Sequence, residues 1–360
     1  MKVALSSRKI PAVLAALALS GGAWLTTTAP GSAAPAGPPV SPAGAAATPE
    51  DVVGYLQQIS GQQVVSGVHN KEPLGSPTQY TDKAESITGK RAGLWGGEVG
   101  FTASDVADRQ RIVDQAKTEW DKGSLVSWTW HMCPPTKAED CAFDGDINGY
   151  RLDDGQWADL VDDGGGLNTV FKERLDGLVP YLQQLKDAGV PLLFRPQHEM
   201  NEGWAWWGGR GGENGSRKLF RITHDYLESK GLDNIVWVWN VKDPQGQAGS
   251  VGDYYPGDDY VDVVSLDPWN SSWPTDDWYQ AMKNVAPGKP LSLAEVGRVP
   301  SPGQLASQPE WTWFMVWAEY LDQNSGEELR ATFNDGRTLN QGGLQLPGLG
   351  VRTTAGKSGE

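Results

Sequence analysis

The sequence predicts an α/β fold of the (β/α)8 TIM barrel type, and three observations predict it. Short apolar or β-branched runs recur along the chain, amphipathic stretches separate them, and polar side chains of catalytic type gather where the runs end. A strand covered on both faces reads as a nearly unbroken apolar run, and a barrel of such strands displays its chemistry at their C-terminal ends.

In chain order the predicted strands are Gln63 to Val68, Ala92 to Trp95, Leu125 to Trp130, Pro191 to Arg195, Ile235 to Trp239, Val261 to Leu266, Pro290 to Ala294 and Trp313 to Trp317. Helices are expected between them at Ala103 to Lys122, Phe171 to Ala188 and Arg217 to Lys230. In the second of these, Leu175, Leu178, Leu182 and Leu185 recur at helical spacing and mark a core-facing stripe. Gly189 and Gly231 stop two helices immediately before the next strand, as residues free to adopt a left-handed cap.

The flanks carry different signals. Residues 1–34 hold Lys2, Arg8 and Lys9, an apolar stretch from Ile10 to Trp24, and the small residues Ser32-Ala33-Ala34, the three parts of a signal peptide. The apolar stretch is short and broken by Ser20, Gly21 and Gly22, which opposes a membrane anchor. Residues 35–48 are almost wholly Pro, Ala, Gly, Ser and Thr and predict an extended linker, so folding is expected to begin near Pro49. The catalytic barrel is expected over residues 49–345, with a flexible C-terminal tail at 346–360.

Charge excludes some partners. The chain has 30 basic and 45 acidic residues; without the three basic residues of the leader the balance is 27 − 45 = −18. Nucleic acid and anionic membrane both call for basic patches and are not expected. A neutral polysaccharide is compatible, and 17 Trp against 7 Phe favours indole, whose flat face suits the C–H faces of sugar rings. Cys133 and Cys141, the two cysteines of an exported chain, are expected to form a disulfide that holds a loop on the rim of the site.

The predicted strand ends place His69, Glu98, His131, His198, Glu199, Asn240, Asp267, Trp269, Glu295 and Trp317 on one face. Their convergence is the argument for a site, since one polar residue at a strand end often only caps a helix. Two glutamates at two strand ends suggest a carboxylate pair of the kind that hydrolyses glycosides with retention. Glu199 stands beside His198 and near Trp204, Trp206 and Trp207, surroundings that desolvate a carboxyl and suit an acid. Glu295, if near Arg195, stays ionised and suits a nucleophile, the guanidinium reaching the strand-seven carboxylate from the strand that carries Glu199.

The run Arg195-Pro196-Gln197-His198-Glu199-Met200-Asn201-Glu202-Gly203-Trp204-Ala205-Trp206-Trp207-Gly208 resembles the acid/base signature of glycoside hydrolase family 26, best known for β-mannanases. Ala294-Glu295-Val296-Gly297 is similar to that family's nucleophile segment, and Tyr255-Pro256-Gly257-Asp258 to another recurrent piece. The resemblance spans roughly residues 60–340. It implies Glu199 as acid/base and Glu295 as nucleophile. It further implies His198 as the residue that positions the acid, His131 and Trp204 as parts of the substrate site, and Trp317 as support for the sugar before the cleaved bond. One departure stands out: the family's Asp-x-Tyr after strand six reads Asp267-Pro268-Trp269 here, and an indole donates one hydrogen bond but accepts none.

The expectation is therefore a secreted, extracellular, monomeric retaining endo-β-1,4-mannanase acting on a β-linked polysaccharide without a cofactor. The rivals are a β-1,3-xylanase or mixed-linkage β-glucanase of the same family, or a non-catalytic carbohydrate-binding barrel. His198-Glu199 opens like a zinc protease motif, but position 202 is Glu and Pro196 opposes one continuous helix. Asp144-Gly145-Asp146-Ile147-Asn148 opens like a calcium loop, but Gly155 stands where a bidentate Glu is required. No metal is expected. The long, acidic, Gly-rich stretch from Pro134 to Gly166 is read as one wall of the cleft.

Overall fold

The structure, a computed structural model, describes residues 46–242, 250–269 and 273–350. The predicted signal peptide, most of the linker and residues 351–360 of the tail lie outside the described residues. Among the described residues no helix is long and apolar enough to cross a membrane.

Eight parallel strands close into a barrel: β1 (Val64–Asn70), β2 (Leu94–Glu98), β3 (Leu125–Thr129), β4 (Leu192–Arg195), β5 (Ile235–Lys242), β6 (Val263–Asp267), β7 (Leu291–Val296) and β8 (Trp311–Val316). Each pairs with the next, and β8 returns to β1 through Val65↔Trp313 to Val68↔Val316. Every residue of these eight strands is buried except Lys242. A two-residue strand, β9 (Thr338–Leu339), adds to the outer edge of β1. The eight predicted strands are all present, with ends shifted by a few residues; the largest changes are at β2 and β5, which run three residues beyond Trp95 and Trp239.

The helices form because the sequence caps them and gives each an apolar side. Thr102 and Asp105 make a reciprocal cap at the start of Ala103–Asp121, and Asp153 and Gln156 do the same for Asp154–Val161. The predicted stripe of Leu175, Leu178, Leu182 and Leu185 is fully buried on helix Gly166–Asp187, each side chain contributing about 1.5–3 kcal/mol. Gly189 (φ 65°) and Gly231 (φ 78°) sit in the left-handed region one residue past the C-caps Ala188 and Lys230 of their helices, as expected. Folding of the described chain begins with helix Pro49–Ile59, whose cap is Thr48. At the other end Leu346 is buried and the Gly350 N–H donates to Trp120 O at 3.1 Å, so residues 346–350 pack on the barrel.

Close strand approach inside the barrel explains one glycine. A Cβ at Gly96 would stand 2.5 Å from Met315 Sδ and 3.0 Å from His69 Cδ2, so the floor of the site is full before any substrate arrives.

Candidate active site

The site is built around one buried cation. Arg195, the last residue of β4, is 1% exposed; its Nη1 donates to Asp267 Oδ2 at 2.9 Å and its Nη2 to Thr129 Oγ1 at 2.9 Å and to Glu295 Oε1. Burial opposes its charge, but the Glu295 and Asp267 carboxylates hold it more firmly protonated than usual. Asp267 is further fixed by Asn240 Nδ2 at 2.9 Å, and Asn240 by Ser265 at 2.8 Å. Side chains from β3, β4, β5, β6 and β7 thus meet in one hydrogen-bonded layer.

Glu295 lies within β7, so the strand itself aims its carboxyl. Its Oε1 takes Arg195 and its Oε2 accepts the Trp269 Nε1–H at 3.2 Å. The tryptophan that stands where the resemblance expects tyrosine therefore hydrogen-bonds this carboxyl. Gly297 makes room for it: a Cβ there would lie 3.0 Å from Trp269 Cζ3 and 3.1 Å from Tyr320 Cδ1.

Glu199 is aimed differently. The chain leaves β4 through Gln197 (φ 41°) and Glu199 (φ 49°), both in the left-handed region that costs a non-glycine residue of order 1–3 kcal/mol. The Glu199 N–H donates to Asn240 Oδ1 at 2.7 Å, which holds the turn. Its Oε2 accepts Trp204 Nε1–H at 2.5 Å and faces Lys242 Nζ at 3.4 Å. Burial, and then the Glu295 charge, push this carboxyl up to about 7; Lys242 and Trp204 pull the other way. The ion pair of Glu199 is with Lys242, while Arg195 serves Asp267 and Glu295.

One carboxyl oxygen from each of Glu199, Asp267 and Glu295 lies within 4.8 Å of the others. Such a cluster has the donors for a cation, but the Arg195 guanidinium already bridges two of the three.

The imidazoles line the same pocket. His131 sits just beyond β3, its Nδ1 2.7 Å from Glu98 Oε2, while Glu98 Oε1 accepts the His131 N–H at 3.0 Å. Burial lowers the His131 pKa, and the Glu98 carboxylate more than reverses this, leaving it above its ordinary value. His198 is driven well below its ordinary value by burial and by its cationic neighbours His131 and Arg195. It is a neutral ring 4.6 Å from the His131 centroid. Trp317 stands 5.8 Å from His131 and stacks on His69 at 4.0 Å and 11°.

Every residue predicted for the site is brought to this pocket or its rim, and Cys133 and Cys141 form a disulfide. Of the three neighbouring tryptophans, only Trp204 faces the glutamate. Trp206 and Trp207 are fully buried and donate to Met132 O and His198 O, each at 2.7 Å, as props beneath the loop. The stretch after Cys133 packs on this loop: Gly149 N–H donates to Trp204 O at 2.8 Å, and Arg151 Nη1 to Ala205 O at 2.8 Å. In the calcium-like loop, Asp146 is paired with Lys137 and Asp144 accepts from Asn148. Sequence reading had no role for Lys242, which it left beyond the end of β5, or for Phe143, a rim aromatic that is 39% exposed and 6.0 Å from Trp204. An aromatic set among the acidic residues Asp140, Asp144 and Asp146 was the available signal for Phe143; Lys242 had none. Glu98 was visible as a strand end, but its grip on His131 was not.

A closed parallel barrel with paired glutamates beyond β4 and on β7 defines a barrel glycoside hydrolase. The chain belongs to glycosyl hydrolase family 26, whose sequence pattern matches residues 40–343. It is 28% identical over 298 residues to a mannan endo-1,4-beta-mannosidase of Thermothelomyces thermophilus, covering 79% of this chain and 59% of that protein's length. Among solved structures it is similar to GH26A from a Muricauda species, with a TM-score of 0.77, 30% identity, and coverage of 82% of this chain and 97% of that one. It is also similar to a β-mannanase from a symbiotic protist of the termite Reticulitermes speratus, solved with a gluco-manno-oligosaccharide, with a TM-score of 0.71, 26% identity, and coverage of 85% and 96%.

Proposed function

We propose that the protein is a secreted, monomeric, retaining endo-β-1,4-mannanase that cleaves mannan-type plant polysaccharides by double displacement without a cofactor. The observation that carries this reading is the carboxyl pair: oxygens of Glu199 and Glu295 within 4.8 Å, one carboxyl pushed up to about 7 and the other bound to Arg195. A direct nucleophile and its acid stand about 5–5.5 Å apart, whereas a pair that must admit water between them stands about 6.5–9.5 Å apart.

Glu295 attacks the anomeric carbon as Glu199 gives its proton to the leaving oxygen. Water then enters, gives a proton to Glu199 and displaces Glu295 from the sugar. Arg195 and Trp269 hold and aim the Glu295 carboxyl, His131 and His198 meet sugar hydroxyls, and Trp317 and Trp204 present flat faces on either side of the cleaved bond. Mannan as substrate is supported by the relatives named as mannanases, and secretion by the leader at residues 1–34.

Hydrolysis of glucomannan and galactomannan to short products, with β-1,3-xylan and lichenan untouched, is the expected result; the reverse preference overturns the substrate. With an activated aryl β-manno-oligosaccharide, Glu199→Ala should lose about 10²–10⁴-fold and recover with azide. Glu295→Ala should lose more and form no glycosyl-enzyme by mass spectrometry. Because the acid must be protonated, kcat/KM should fall as pH rises through about 7. Equal behaviour of the two alanine variants overturns the assignment of roles.

A further inference from the structure

Lys242 is the one residue of the eight barrel strands that is not buried, and its ammonium stands 3.4 Å from Glu199 Oε2. The placement is built from both sides. Asn201, two residues past Glu199, donates its Nδ2 to Lys242 O at 2.9 Å and accepts the Lys242 N–H at 2.8 Å. Asn240, two residues before Lys242, accepts the Glu199 N–H at 2.7 Å. The acid's loop and the end of β5 are thereby knit together across the carboxyl.

These bonds fix the strand end through main chain and asparagine and do not involve the ammonium. An ammonium also opposes the first task of Glu199, which is to carry a proton. It favours the second. Once the proton has gone to the leaving oxygen, Glu199 must persist as a carboxylate until water arrives. The groups around it are Glu295 on β7, Asp267 on β6, Arg195 on β4, and the imidazoles of His131 and His198. When Glu295 is esterified to the sugar its negative charge is gone, and burial remains as the force that would keep Glu199 protonated.

We propose that Lys242 is a positioning residue for the second half-reaction, its ammonium holding Glu199 as the carboxylate that receives the proton of the attacking water. This rests on the acid/base reading of Glu199. In that step a water O–H bond breaks and its proton goes to Glu199. The water oxygen bonds to the anomeric carbon, and the bond from that carbon to Glu295 breaks, its electron pair returning to the carboxylate.

The test uses pH profiles of the full chain with an activated aryl β-manno-oligosaccharide, for which breakdown of the glycosyl-enzyme limits turnover. Lys242→Met is expected to move the alkaline limb of kcat/KM and the acidic limb of kcat upward by about one pH unit, the low end of what an opposite charge does at this range. Well below the new acidic limb, kcat then falls roughly 10-fold. Lys242→Arg, which keeps the charge, should leave both limbs in place. Unmoved limbs in Lys242→Met, or an equal shift in Lys242→Arg, overturn the proposal. Glu199→Ala run in parallel separates the two ideas. Where the limbs do not move as expected, azide rescue of that variant leaves the acid/base reading standing while the lysine proposal falls; absence of rescue overturns both.

Discussion

The two glutamates face the same pocket from different kinds of backbone. Glu295 is part of β7, in extended conformation, and its aim is inherited from the barrel. Glu199 lies past the end of β4 in a turn with positive φ and depends on Asn240, Trp204 and Asn201 for its position. Their electrostatic settings differ in the same sense. Glu295 shares a fully buried guanidinium with Asp267, whereas Glu199 has the partly exposed Lys242 and a wall of indole and imidazole. On the proposed mechanism, the nucleophile sits on the rigid element beside a permanent cation. The residue proposed to gain and lose a proton sits on a loop, near a cation weak enough to be overruled by burial.

The strongest way to break this contrast is to remove the cation. Arg195→Met leaves Asp267 and Glu295 buried without their counter-charge, and loss of one partner from a buried pair costs about 3–5 kcal/mol. Denaturant unfolding at neutral pH should show that loss, together with loss of turnover. The sign of its pH dependence follows from Asp267: burial holds its carboxyl well above the ordinary range and Arg195 opposes this, so without Arg195 it binds a proton still more readily in the folded state. The deficit should therefore shrink as acid protonates Asp267 and grow as pH rises. A deficit that grows with acidification would show that Arg195 does not oppose protonation of Asp267.

Asn240→Ala attacks the other side of the comparison. It removes the acceptor for the Glu199 N–H and the donor to Asp267, so the left-handed turn loses its tie. A small misplacement of a catalytic group costs on the order of 10²-fold. Activity on mannan should fall by about that factor with the melting temperature less affected than in Arg195→Met. An unchanged kcat would mean that Trp204 and Asn201 suffice to hold the acid.

How far the sequence revealed this follows from the same contrast. The strands, the pair of glutamates and the contact of Arg195 with Glu295 were legible, because a barrel strand is an apolar run whose end position fixes where the next side chain emerges. The strand-seven glutamate needed nothing more. What sequence reading missed belongs to the loops and to strand length. The helix Asp154–Val161 was hidden in a stretch read as a cleft wall. β5 was ended at Trp239 because Asn240 and Lys242 interrupt the apolar run, yet pairing with β6 continues to Lys242↔Asp267. Polar residues there are paid no penalty since they meet Asp267, Ser265 and Glu199 rather than apolar neighbours. The positive φ of Glu199 had no signal at all, since no glycine marks it.

Trp269 offers the finest test, because it changes a single hydrogen bond at the rigid glutamate. Its Nε1–H donates to Glu295 Oε2 at 3.2 Å, and its ring packs at 4.7 Å against Tyr320 over Gly297. Phenylalanine keeps most of the ring contact and removes the donor; a hydrogen bond to a charged group is worth about 1.5–3 kcal/mol. At 3.2 Å the lower end applies, so Trp269→Phe should lower kcat roughly 10-fold with little change in KM. Trp269→Tyr restores a donor, and its hydroxyl must extend as far as the indole nitrogen to recover the rate. If phenylalanine is as active as tryptophan, Arg195 alone fixes Glu295 and the indole serves only as packing. If tyrosine exceeds tryptophan, the indole is the poorer of two donors, and its retention here has to be explained by the Tyr320 and Gly297 contacts instead of by the nucleophile.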